Sequence, residues 1–126
     1  MLAIGVTACD DNPSGPSTIP SGVWRLGTLQ APDWSVTEIP DPDKFTAEFR
    51  DDGRLDALAD CNRCNAAYES NAGTLSLSPM ACTRAFCSSA PLDTTYVAVL
   101  QSAYAYDAND DSLTIYGTQG VLRFLR

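Results

Sequence analysis

The stretch Lys44-Phe45-Thr46-Ala47-Glu48-Phe49-Arg50-Asp51-Asp52-Gly53-Arg54-Leu55-Asp56-Ala57-Leu58-Ala59-Asp60 decides the fold. Phe45, Ala47 and Phe49 alternate with Thr46, Glu48 and Arg50, the period-two pattern of a strand that buries one face. Asp51-Asp52-Gly53 predicts a hairpin turn, since Gly53 supplies the positive φ that such turns need. The run from Arg54 to Asp60 then returns as the partner strand.

Upstream of this hairpin, Gly22 to Leu29 predicts a first strand with Trp24 and Leu26 on one face. Pro32, Asp33 and Trp34 mark an irregular loop, followed by a short strand at Ser35–Ile39. Downstream, strands are expected near Asn65–Glu69, Thr74–Ser78, Tyr104–Tyr106, Ser112–Tyr116 and Val121–Leu125. Turns at Asn71–Gly73, Ala108–Asp111 and Gly117–Gly120 separate them, and Leu113, Ile115, Leu122 and Phe124 face inward. One helix begins at Pro91, which suits a first turn. Asp93 favours the positive end of its dipole, and Leu92, Tyr96, Val99, Leu100 and Ala103 form one apolar stripe. About seven or eight short strands with a single helix predict a mainly β (α+β) fold, a small antiparallel β-barrel closed or nearly closed, with the helix packed on it.

Net charge is −8, with Lys44 the single lysine, and an acidic surface repels phosphate backbones, which argues against nucleic acid. Histidine is absent, which removes Ser-His-Asp and Cys-His catalysis and His-ligated zinc. The expectation is a non-enzymatic protein with no catalytic residues, cofactor or metal.

The N-terminal run ends in Val6-Thr7-Ala8-Cys9, which resembles a bacterial lipoprotein lipobox: aliphatic, small, small, cysteine. The resemblance implies cleavage before Cys9 and lipid attachment to it. No Lys or Arg precedes Arg25, whereas a signal begins with basic residues, so the signal is expected to start upstream of Met1. Asp10 to Ser21 is rich in Pro, Ser, Gly and Asp and reads as a disordered tether. Residues 1–8 are thus expected to be a signal remnant, 9–21 the tether and 22–126 the folded domain.

Cys61, Cys64, Cys82 and Cys87 crowd into one window. A four-cysteine zinc ribbon fits poorly, because the second knuckle has four intervening residues, and zinc thiolates belong mainly to reducing compartments. A redox Cys-x-x-Cys requires a helix N-terminus, whereas this one lies in strand-rich sequence beside Asp60. Structural disulfides are the preferred reading, and three connectivities are open.

At this block the chain resembles the META/HslJ-like domain family. Trp24 and Leu26 match its Trp-x-Leu strand, and Phe45, Phe49 and Gly53 its Phe-rich strand and turn. Cys61, Asn62 and Tyr68 match its Cys-Asn box, and Met80, Ala81 and Cys82 its Met-Ala-Cys box. Asp93, Tyr96 and Leu100 match its helix, and Leu113, Ile115, Leu122 and Phe124 its last hairpin. Asp60 departs from the family's Gly, Ser78 from Thr, Asp93 from Glu and Ala66 from a frequent Gly. The resemblance implies a small antiparallel barrel with a packed helix in an envelope or secreted protein, with stress or resistance associations and no shared enzymatic activity. It also implies that Cys61 and Cys82 form the shared bridge, with Cys64–Cys87 a local addition.

Asn62, Arg63 and Arg84 are candidate binding residues, because a bridged block would bring both arginines together for an anionic group. The simpler alternative is that they neutralise Asp60 and nearby carboxylates. Asp51-Asp52 and Asp110-Asp111 lack calcium-loop order and read as turn residues. Glu48, Asp56 and Glu69 are the carboxylates available for acid–base chemistry, and Trp34 is either a binding aromatic at a barrel mouth or a packing residue. The expected whole is a monomeric, lipid-anchored envelope protein, a binding or stress-protective module with an envelope protein partner. The alternatives are a small-ligand carrier with a barrel cavity and a carboxylate-dependent enzyme.

Overall fold

The structure, a computed structural model, describes residues 18–126. The expected signal remnant, Cys9 and the tether as far as residue 17 lie outside the described residues.

Strands β1 (Val23–Gln30), β2 (Val36–Glu38), β3 (Phe45–Phe49), β4 (Arg54–Ala59), β5 (Asn62–Asn71), β6 (Thr74–Leu77) and β7 (Ala81–Cys82) precede helix α1 (Leu92–Gln101). Strands β8 (Ala103–Ala108), β9 (Ser112–Gly117) and β10 (Gly120–Leu125) follow it. Eight of these strands, in the order β1-β3-β4-β5-β6-β8-β9-β10, form a ring because β10 also pairs with β1. The result is a closed antiparallel barrel, mostly β, with one helix. Strand β2 extends from β1 and β7 from β5, outside the ring.

Alternation sets the interior. Phe45, Ala47 and Phe49 of β3 face Ala59, Ala57 and Leu55 of β4 in register, all buried. On β1 the rhythm breaks at a bulge between Leu26 and Thr28, so Trp24, Leu26 and Leu29 all turn inward. Leu113, Ile115, Leu122 and Phe124 are buried as expected. Removing a side chain of this size from water contributes roughly 1.5–3 kcal/mol.

Helix α1 packs against β4 on one side of the ring and β9 and β10 on the other, so it spans a barrel mouth. Tyr96 drives into that mouth, edge-on to Phe45 at 5.8 Å and Phe124 at 6.3 Å. Its buried hydroxyl donates to the Thr46 carbonyl at 2.8 Å, and burial pushes the phenol pKa far above its ordinary value. The expected stripe is shortened at its end: Ala103 opens β8, Leu92 is only half-buried, and Asp93 joins Tyr96, Val99 and Leu100 in the buried set.

The packed unit also begins earlier than residue 22. Ile19 is buried in the core, and Trp24 Nε1 donates to the Pro20 carbonyl at 3.0 Å. The Arg126 guanidinium lies 4.3 Å from the Trp24 ring centre and donates to the Ser21 and Asp110 carbonyls, tying the two ends of the described chain together.

Gly117 marks the tightest approach of helix to sheet. A Cβ there would stand 2.7 Å from the Val99 carbonyl oxygen and would also collide with the Ser102 hydroxyl. That hydroxyl donates to Val99 O at 2.7 Å and accepts from Gln119 N at 3.1 Å, stitching the end of α1 to the β9–β10 turn. Gly117→Ala is therefore expected to destabilise by about 1–3 kcal/mol in chemical denaturation. Gly53→Ala, which meets no neighbour but keeps a positive φ, should lose about 1 kcal/mol for backbone reasons alone.

Candidate functional site

Two disulfides shape one face. Cys64 on β5 is buried and stands in register with Cys82 on β7, and the two are bonded with Cα atoms 4.1 Å apart. Cys61, in the exposed turn between β4 and β5, is bonded to Cys87 with a Cα separation of 5.6 Å. This corrects the expected pairing of Cys61 with Cys82 and Cys64 with Cys87, and with it the division into shared and local bridges. The reason is strand direction. Because β7 runs antiparallel to β5, later residues meet earlier ones and the bridges nest; the expected pairs would cross, as only a parallel approach allows. All four cysteines are disulfide-bonded, and Cys61 and Cys64 are bonded to different partners rather than to each other.

The bridges close loops with separations of 26 and 18 residues, worth about 3 kcal/mol each in chain entropy. One loop lies inside the other, so the two contributions are less than additive. Between them, Asn62 organises residues 83–87. Its Nδ2 donates to Ala85 O at 3.0 Å and Cys87 Sγ at 3.2 Å. Its Oδ1 accepts from Ala85 N at 2.8 Å and Thr83 Oγ1 at 2.9 Å. An amide offers two donors and two acceptors, so Asn62 is saturated and positions the loop rather than offering groups to a ligand.

The same clamp holds Phe86 fully in solvent, at 104% relative exposure, with Arg84 beside it. Arg63 pairs through its backbone with Thr83, next to Arg84, but the two arginines line different clefts. Arg63 lines one of about 510 Å³ with Glu48 and Asp56, whereas Arg84 lines one of about 560 Å³ between the clamped loop and α1. Among the described residues neither arginine has a carboxylate partner, so the expected neutralisation of Asp60 is replaced by other contacts. Ser89 N donates to Asp60 Oδ2 at 3.0 Å, and hydrogen bonding from Ser89 holds the Asp60 carboxyl below the usual carboxylate range. Asp60 has a φ of +58°, in the left-handed region that favours Gly and in which Asp is tolerated.

The lining of the loop–helix cleft includes Asp93, 5% exposed, with Oδ1 buried and without a hydrogen-bond donor among the described residues. Sequence reading placed Asp93 at the helix dipole but missed its burial; its position between Leu92 and Tyr96 at the start of the stripe was the available signal. Trp34 is 80% exposed at a φ of +76°, held out by a turn in which Trp34 N donates to Ala31 O and Ala31 N to Ser35 O. It is a displayed aromatic, not a packing residue.

Glu48 and Asp56 are register partners on β3 and β4, while Glu69 lies opposite Ser76 on β6. Asp56 accepts from Arg50 at 2.9 Å, and Asp56 and Asp52 together raise the Arg50 pKa. Asp52 caps its turn by accepting from Arg54 N at 3.1 Å, and Asn109 organises the turn that contains Asp110 and Asp111. Among the described residues no cluster of three or more acidic or cysteine side chains is arranged to hold a metal.

A family model described as META domain matches residues 17–126. No curated protein matches the chain. Among solved structures, an NMR structure of a protein from Burkholderia xenovorans aligns with a TM-score of 0.71 at 16% identity, over 100% of this chain and 98% of that one. A DUF4847 family protein from Bacteroides vulgatus aligns with a TM-score of 0.63 at 13% identity, over 83% and 92% of the two chains. At these identities the two likenesses concern the fold. Disulfides of this kind are compatible with a non-cytoplasmic location.

Trypsin reads the connectivity directly, because Arg54, Arg63, Arg84 and Arg123 partition the cysteines. Without reduction, residues 55–63 should stay linked to 85–123, while 64–84 carries its own internal bridge and leaves alone; a three-peptide assembly would identify either other connectivity. Asp60 has a depressed folded pKa, so its contribution is complete above the unfolded value of about 4 and is lost as pH falls through the folded one. Asp60→Asn is therefore expected to be less stable than wild type at pH 7, with the gap shrinking below about pH 4 in denaturation titrations.

Proposed function

The chain belongs to the META domain family, and on that premise we propose that it is a non-enzymatic, lipid-anchored envelope protein that acts as a binding or stress-protective module through the barrel surface. The observation that carries this reading is the disulfide-clamped loop, which holds Phe86 wholly exposed beside an arginine that has no carboxylate partner among the described residues. A large aromatic and an arginine on a rigid base are the usual anchors of a protein contact, since ordering the loop has already been done by folding. The carrier reading is weakened by the barrel interior, where Trp24, Phe45, Phe49, Tyr96 and Phe124 fill the space a ligand would need. The enzymatic reading lacks support at the carboxylates, since Asp56 is engaged by Arg50 and Glu69 stands apart from Glu48. Anchoring rests on the lipobox-like Val6–Cys9 alone.

Crosslinking in intact membranes followed by pull-down tests the proposal. The full chain should fractionate with membranes and capture an envelope protein. Cys9→Ala should release it to the soluble fraction, and Phe86→Ser with Arg84→Ala should lose the crosslink while keeping the fold. Capture unaffected by the loop variants, or turnover abolished by Glu48→Gln, would overturn the reading.

A further inference from the structure

The cleft between the clamped loop and α1 has an unusual inventory of polar groups. Asn62 is saturated by Thr83, Ala85 and Cys87. Thr83 Oγ1 donates to Asn62 and accepts from Arg63 N, and Thr94 Oγ1 donates to Pro91 O. Among the described residues, that leaves two lining side chains without partners: Asp93 and Arg84. The remaining wall is chiefly apolar, with Met80, Ala85, Phe86, Ala90, Pro91 and Val97. A buried acceptor with no donor is an unfavourable arrangement unless something supplies the donor. Asp93 lines a 560 Å³ cleft, a volume within the range of small-ligand sites.

We propose that this cleft binds a primary ammonium group carried on a single apolar stem, with Asp93 as its counter-ion. An ammonium supplies up to three donors and a positive charge to the carboxylate, and its apolar stem lies along Met80, Pro91 and Val97. Arg84 disfavours a second positive charge, so the ligand is a monocation. A free alkylamine and the N-terminus of an apolar peptide share this chemistry. The inference deepens the binding-module reading above and rests on it.

The test uses the whole domain and NMR titration with n-hexylammonium, n-hexanol, hexane-1,6-diammonium, and an apolar tripeptide with a free or an acetylated N-terminus. A charge-assisted contact to a buried carboxylate is expected to favour hexylammonium over hexanol by about tenfold or more, with shifts confined to Met80, Asp93, Val97 and their neighbours. The diammonium should bind more weakly than the monoamine. Preference for the free over the acetylated tripeptide, with no amine binding, also supports the proposal and assigns the source to peptide. Asp93→Asn should erase the charge preference while the β9 and β10 amide shifts stay in place. Equal binding of charged and neutral ligands, or an Asp93→Asn protein that binds hexylammonium as well as wild type, overturns it. Capture of an envelope partner through Phe86 with no ammonium preference overturns only this inference. Ammonium binding without any captured partner removes only the envelope-partner reading.

Discussion

Strand β10 lies against β1 over Arg25–Leu125 to Gln30–Val121, and through that pairing the first and last strands of the barrel become neighbours. Closure of the ring depends on it. With the ring closed, inward residues from opposite strands reach one another and the strand edges of the ring are used up. One mouth then needs a plug, and Tyr96 provides it by placing a full aromatic ring between Phe45 and Phe124 while spending its hydroxyl on Thr46. The contact between Arg126 and Trp24 lies at the same seam, where the end of the chain returns to the start of β1.

Closure also determines where chemistry is possible. A barrel whose interior is occupied by Trp24, Phe45, Phe49 and Phe124 leaves its outer appendages for recognition. The β5–β7 pairing is one such appendage: it draws residues 83–87 back over β5 and leaves a gap beneath them against α1. The nested bridges then lock the loop over that gap, and Asn62 supplies the internal hydrogen bonds that five loop residues cannot make for themselves.

Much of this was legible from residue order. Period two on Phe45, Ala47 and Phe49, the turn at Asp51-Asp52-Gly53, and the inward set Leu113, Ile115, Leu122 and Phe124 carry over unchanged, because each is a local pattern enforced by burial. What escaped was nonlocal. The bulge that brings Leu29 inward depends on how β10 meets β1, and the two-residue strand β7 has no pattern of its own. Disulfide connectivity depends on the direction of that short pairing, which the cysteine spacing leaves undetermined. Nor does a sequence distinguish an Asp that greets the helix dipole at the surface from one that does so under a loop, as Asp93 does.

The two most exposed aromatics among the described residues, Trp34 and Phe86, are held in different ways that serve the same physical end. Trp34 occupies a positive φ that a bulky residue rarely adopts, and a compact turn with Asp33 accepting from Ser35 keeps it there. Phe86 is fixed on one side by the disulfide of the adjacent Cys87 and on the other, through Asn62, by the backbone of Ala85. An exposed aromatic on a floppy loop would lose much of its contact energy to ordering. Both loops here are ordered before anything arrives, so the area each ring can bury is available to an incoming partner. At Phe86 that rigid ring borders a cleft lined by Asp93, whose Oδ1 is unmatched among the described residues, which joins shape and charge at one position; the Trp34 loop has no comparable unmatched group among them.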